Sequence, residues 1–161
     1  GCCCMCCATY TQRIELLNLT GEPYVCCAGL FPCGPLGEPQ DRNCLFLEVC
    51  CCPGLALSGN RFIVQTRFDK ENTPCDDFII TFTFLCVCFL QLADCVGCDI
   101  PPEIDLLADC LILTVDGCMY AQQQVEINDI KAKGYTGPPP TIVVALPPLQ
   151  QKMIHRPGPT A

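Results

Sequence analysis

Thr73-Pro74-Cys75-Asp76-Asp77-Phe78-Ile79-Ile80-Thr81-Phe82-Thr83-Phe84-Leu85-Cys86-Val87-Cys88-Phe89-Leu90-Gln91-Leu92-Ala93 is the stretch on which the fold turns. Its first five residues read as a helix start. Thr73 can cap free backbone N–H groups, Pro74 suits the first helical position because its missing N–H is not needed there, and the carboxylates of Asp76 and Asp77 complement the positive end of the helix dipole. The apolar run from Phe78 to Ala93 follows, and Gly97 is a natural stop because glycine adopts the left-handed conformation that closes a helix. The run has sixteen residues, short of the roughly 20 that a crossing helix needs, and it contains Thr81, Thr83 and Gln91. A buried core helix is therefore the expectation, with a membrane span or a re-entrant segment as the alternative.

Working outward, Pro101-Pro102 permits a second helix from about Glu103. Its apolar positions Ile104, Leu107, Leu111, Val115 and Cys118 recur at three- and four-residue steps. Lys131 and Lys133 stand where the negative helix end favours cations, and Gly134 can close the element. Together the two runs predict a central antiparallel helical hairpin, with helices near Pro74–Val96 and Glu103–Lys133. Upstream, a short helix passes through Arg13, Ile14, Leu16 and Leu17. The Gly- and Pro-rich stretch from Cys26 to Pro39 reads as a loop, and Cys50 to Phe68 is ambiguous with helix from about Asn60. Downstream, Tyr135 to Ala161 holds seven prolines, which predicts an extended, polyproline-like tail. Within it Ile142, Val143, Val144 and Leu146 are apolar enough to dock on a partner. The chain is thus expected to be mainly α: an N-terminal anchor and short helix over 1–25, a cysteine-rich domain over 26–134, and a tail over 135–161.

Composition narrows the function classes. The chain has 161 residues, 19 of them cysteine, a single histidine and a net charge of −8. Nucleic-acid binding needs clustered Lys and Arg and is not expected. From Glu71 to Asp129 there are eleven acidic residues and no Lys or Arg, so direct polybasic attachment to anionic lipid is not expected either. The N-terminus has neither the basic start nor the apolar centre of a secretory signal, which sets a reducing, intracellular location as the default. Nucleophilic catalysis requires a base beside the nucleophile. The only histidine, His155, lies in the proline-rich tail, and no phosphate loop or dinucleotide fingerprint is present, so an enzyme is not expected.

The thiols admit several uses. Gly1 followed by Cys2, Cys3, Cys4, Cys6 and Cys7 suggests dual acylation, since one chain binds a membrane weakly and two make a stable anchor. The alternative is a thiol cluster packed against protein. Zinc is a candidate cofactor: it takes four ligands, which here would be cysteines, and Cys95-x-x-Cys98 is one plausible half-site. Buried free thiols acting as small hydrophobes are the competing expectation. Asp94, Asp99, Glu103, Asp105, Asp109 and Asp116 gather carboxylates at and beyond the hairpin tip. They lack calcium-loop spacing, and a solvated acidic face or a surface for a basic partner is the reading.

Several segments in order carry a family resemblance. Cys27-Ala28-Gly29-Leu30-Phe31-Pro32-Cys33 is followed by Glu48-Val49-Cys50-Cys51-Cys52, then by Arg61, Thr66-Arg67-Phe68 and Cys75-Asp76-Asp77-Phe78, with Gln91 further on. Asp109-Cys110-Leu111, Cys118, Gln122-Gln123, Glu126-Ile127 and Lys131 to Gly134-Tyr135 complete the series. From Cys26 to Tyr135 the chain resembles the cysteine-rich family of placenta-specific 8, cornifelin and the plant cell-number regulators. The family's double-cysteine-x-x-cysteine before the glutamine is broken here, with Cys86 and Cys88 nearby. The resemblance implies a small, non-enzymatic, membrane-associated protein at a cytoplasmic membrane face, linked to growth regulation or divalent-metal handling. The rival expectation is a structural subunit of a large intracellular assembly, ciliary or cytoskeletal, docked on protein partners through the tail.

Overall fold

The computed structural model describes residues 2–30 and 38–155, with side chains from Met5 onward in the first helix. Among these residues the protein is helical, and no strand forms. The elements are α1 (Cys2–Thr20), a short turn at Cys26–Gly29, α2 (Arg42–Cys51), α3 (Pro53–Phe68), α4 (Pro74–Cys95), α5 (Pro102–Lys133), α6 (Pro140–Ala145) and α7 (Pro148–His155). The mainly helical expectation therefore holds. The chain divides into two compact units. The first takes Gly1–Lys70 and Tyr120–Ala161, and the second takes Glu71–Met119. The units cut across the expected segments: the N-terminal helix, the first part of the cysteine-rich stretch and the tail share one unit.

The first unit has the core. Leu16, Ala28, Ile63, Val64, Phe68 and Ile127 form one buried cluster, with Leu19, Ile130 and Tyr135 against it. Leu17, Tyr24, Leu45, Val49 and Ala56 form a second, edged by Cys6, Tyr10, Ile14 and Cys44. The adjacent Leu16 and Leu17 point into different clusters, so α1 is the wall shared by both. Gly59 lets α3 come close to α1, because a Cβ there would stand 2.4 Å from Arg13 Nη2.

The ends of α4 follow from sequence chemistry. The Thr73 hydroxyl accepts from Asp76 N, and the Asp76 carboxylate accepts from Thr73 N, a reciprocal capping box. At the far end Cys98 N donates to Ala93 O and Gly97 N to Asp94 O, with Gly97 at φ +79°, the double closure of a Schellman motif. Gly134, at φ +86°, closes α5 by donating to Ile130 O at 2.8 Å. Both helices lie within a residue or two of the expected bounds.

Three expectations are corrected. The stretch before Asn60 is helical: α2 was not anticipated, and α3 begins at Pro53, whose ring suits a first helical position. The tail is not extended, since α6 and α7 each start at a proline and run between the proline pairs. And α4 is not a buried core helix, because Thr83 is its one buried residue among those described.

Candidate functional site

Three features have functional chemistry, and the first is the surface of α4. The helix has 22 residues, its best window has a mean hydropathy of 2.0, and 6% of that window is buried. Phe78, Ile79, Phe82, Phe84, Leu85, Phe89 and Leu92 are exposed. Phe78 and Phe82, one turn apart, stack with ring centroids 6.1 Å apart. At about 1.5 Å per residue the helix is about 33 Å long, against a hydrocarbon core of about 30 Å. Val87, Leu90, Gln91 and Asp94 of α4 line a hollow of about 470 Å³ together with Cys98, Asp99 and Ile100 and with Asp105, Ala108, Asp109 and Ile112 of α5. The structure thus brings Asp94, Asp99, Asp105 and Asp109 around one cavity, with Gln91 on its wall. Glu103 and Asp116 are not part of the lining.

The second feature is a buried polar network under the Cys26–Gly29 turn. Cys27, Ala28 and Gly29 all have positive φ, near 51°, 52° and 69°. For Cys27 and Ala28 this conformation costs on the order of 1–3 kcal/mol each and needs support from its surroundings. Glu48 supplies support: its Oε2 accepts from Cys27 N and from the Tyr24 hydroxyl, both at 2.8 Å. Its Oε1 faces Arg13 Nη2 at 3.4 Å, and both side chains are almost fully buried. Arg13 also donates to Asn60 Oδ1 and to Ala56 O. Burial pushes the Arg13 pKa down, and Glu48 pushes it back up. Burial, reinforced by the hydrogen bond to Glu48, raises the Tyr24 pKa, which keeps its hydroxyl a donor.

Cys26, Cys27 and Glu48 bring three metal-ligating atoms within 4.8 Å of one another. Two thiolates, Glu48, Arg13 and a dication would sum to zero charge. Zinc takes four ligands, however, and both Glu48 oxygens already have partners, so two thiols and a hydrogen-bonded carboxylate make an incomplete site.

The third feature is an apolar groove of about 480 Å³ between α1 and α2, lined by Cys6, Cys7, Tyr10, Thr11, Asn43, Phe46, Val49 and Cys50. Cys7 and Cys50 are exposed thiols. Tyr10 and Phe46 meet edge to face across the groove at 6.3 Å.

The remaining expected site residues serve different ends. Arg67 is buried and grips Glu22 with two hydrogen bonds, of 2.6 and 2.9 Å, while its Nη2 also donates to Gln150 Oε1 at 2.7 Å. Asp76 caps α4, and Asp77 accepts from Asn72. Gln122 accepts from Arg61, and the buried Gln123 reaches Leu57 O at 3.5 Å. Cys75, Cys95, Cys98, Cys110 and Cys118 are exposed free thiols. Of the tail residues Leu146 is buried, Ile142 and Val143 are half-buried, and Val144 is exposed. The tail is anchored instead by Gln150 and Met153, which are buried near Gly29. Gly1, Cys33 and the side chains of Cys2, Cys3 and Cys4 lie outside the described residues. Sequence reading did not assign Arg13, Glu22, Tyr24 or Asn60 to any site. The one available signal was charge inside apolar runs, as with Glu48 in Cys44-Leu45-Phe46-Leu47-Glu48-Val49.

Compared with known proteins, the chain matches no family model, no curated protein and no solved structure.

Proposed function

We propose that the chain is a non-enzymatic protein held at a membrane by α4, which enters the bilayer as one arm of a hairpin. The observation that carries this reading is the surface of α4: apolar over sixteen uncharged residues and almost wholly unburied. Leaving so many aromatic and aliphatic side chains in water costs about 25 cal/mol per Å², and a contiguous exposed patch of this kind marks a membrane or protein contact.

The composition of the first unit argues for a hairpin over a single crossing. Residues before Glu71 and after Met119 share one core. A lone crossing by α4 would strand them on opposite faces of the bilayer. The chain must return, and residues 102–119 of α5 are the returning arm. The hollow supports an antiparallel arrangement, since positions 87–94 face 105–112 across it. The carboxylates of the returning arm are expensive in hydrocarbon, and the hollow gives Asp105 and Asp109 a polar place to face. The segment order from Cys27 to Tyr135 supports the same reading through its resemblance to the placenta-specific 8 family, and divalent-metal handling or growth regulation is the role that resemblance suggests. Zinc at Cys26, Cys27 and Glu48 would need a further ligand.

Flotation of the full chain with liposomes, followed by an impermeant thiol reagent and peptide mapping, tests the reading. Cys52 and Cys118 are expected to be labelled from the same side. Labelling from opposite sides, or no flotation, overturns it.

A second reading, a subunit of a protein assembly, is favoured by Ile104, Leu106, Leu107 and Leu113. These are exposed on α5 beside acidic residues that suit lipid poorly. It predicts a stable, lipid-free complex isolated without detergent. The tail gives this reading less support than expected from its sequence, because Gln150 and Met153 are used within the chain itself.

A further inference from the structure

Apart from α4, the apolar feature with its own chemistry is the groove between α1 and α2, which has thiols on both walls. We infer that this groove seats a long-chain fatty acyl group joined as a thioester to Cys50. The inference rests on the membrane reading and adds a second, covalent attachment to it.

Position on the helix selects Cys50. Asn43, Phe46 and Cys50 fall three and then four residues apart, so they lie on one face of α2 and line the groove together. Each Cα–Cβ bond in a helix tilts toward the N-terminus. A chain leaving Cys50 Sγ therefore leans over Phe46 and along the groove toward Asn43. The same rule sends a chain on Cys7 the other way, toward the N-terminal residues of α1 and away from Tyr10. Cys50 is exposed and open to an acyl donor, whereas Cys6 is half-buried at the edge of the second core cluster. The Tyr10–Phe46 pair lines the groove with aromatic surface, and the buried Val49 adds an aliphatic side chain to the lining. Its volume of about 480 Å³ falls in the ordinary range for small-molecule pockets, about 300–1,000 Å³.

The step balances with a fatty acyl-coenzyme A thioester as donor. Cys50 Sγ bonds to the acyl carbonyl carbon, the donor's carbon–sulfur bond breaks, and coenzyme A leaves as its thiol with the proton from Cys50. No oxidant or reductant is needed. A single acyl chain gives only marginal, reversible binding to a bilayer. A chain that can withdraw into a protein groove shifts that balance further toward release, so Cys50 acts as a conditional anchor beside the standing one in α4.

The test feeds alkyne-tagged palmitate to cells expressing the full chain and maps hydroxylamine-labile label by site-resolved mass spectrometry. Label is expected at Cys50, absent in Cys50→Ser. In Phe46→Asp, which puts charge in the groove lining, it should fall at least fivefold at Cys50 and stay unchanged at labelled cysteines elsewhere. Circular dichroism of both variants checks that the fold persists. No label at Cys50 in the unaltered chain overturns the inference, as does Cys50 label that persists in Phe46→Asp. Should the fold of Phe46→Asp fail, Phe46→Gln takes its place with the same expectation. The membrane reading fails separately: a chain labelled at Cys50 that floats equally well when α4 carries charges retains the groove and loses α4.

Discussion

The two units use apolar residues in opposite ways. In the first, modest aliphatic side chains are buried: Leu16, Ile63 and Ile127 are wholly inaccessible, and the arginines among them are paired. In the second, the most hydrophobic helix of the chain buries almost nothing. Hydrophobicity alone does not put a residue inside. The first unit succeeds because apolar positions from α1, α2, α3 and α5 converge on shared clusters, and each buried charge has a partner. The second offers apolar groups on all sides of α4, more than one neighbouring helix can cover.

The contrast can be broken most forcefully at α4. Leu85→Asp with Phe89→Asp would put two carboxylates mid-helix at about 3 kcal/mol each for insertion. Liposome flotation should be lost while the thermal unfolding of the first unit stays put. Unchanged flotation would mean that α4 is not what meets lipid. Next in size is Glu22→Ala, which leaves Arg67 buried and unpaired. About 3–5 kcal/mol of stability should go, measured by urea unfolding. A loss under 1 kcal/mol would show that water reaches Arg67.

A matched pair sharpens the comparison. Ile63→Ala should cost about 2–5 kcal/mol, and Leu106→Ala, at an exposed position, no more than about 0.5 kcal/mol in detergent-free solution. Equal losses would mean that Leu106 is covered. A final test, confined to alkaline pH, concerns Tyr135, whose pKa is pushed up to about 12, first by burial and then by Glu22, with Arg67 opposing. Well below pH 10 the phenol is neutral in both folded and unfolded chains. As pH rises from about 10 to about 12 the unfolded phenol ionises first, so stability falls, by at most about 2 kcal/mol. Tyr135→Phe should remove that part of the alkaline loss. If both proteins lose stability equally over this window, Tyr135 is not the group responsible.

The two long helices, α4 and α5, were the more legible part of the sequence. Thr73, Pro74, Asp76, Gly97, the Pro101-Pro102 pair and Gly134 act through local backbone chemistry, so the bounds of α4 and α5 could be read directly. What could not be read was the partnership of distant groups. Arg13 and Glu48 lie 35 residues apart; the apolar run around Glu48 marks it as a candidate buried charge, but nothing near it points to Arg13 as the partner. α2 was hidden because three successive cysteines and a proline look like a break, whereas Pro53 begins the next helix. The tail misled for a related reason: Pro140 and Pro148 sit at helix starts, where proline is tolerated, and six and eight residues suffice for α6 and α7. The acidic cluster around the hollow was visible as composition, but its convergence from two helices was not.

The bond from Arg67 to Gln150 spans 83 residues of chain, and this orders events during synthesis. Translation at roughly 5–20 residues per second brings Gln150 out on the order of ten seconds after Arg67. For about the last two thirds of that interval the nascent chain displays the whole of α4, while Gln150, which completes the Arg67–Glu22 pair, has yet to be made. On the proposed membrane reading, lipid meets the apolar helix while the first unit still lacks the Gln150 bond that latches Arg67 in place.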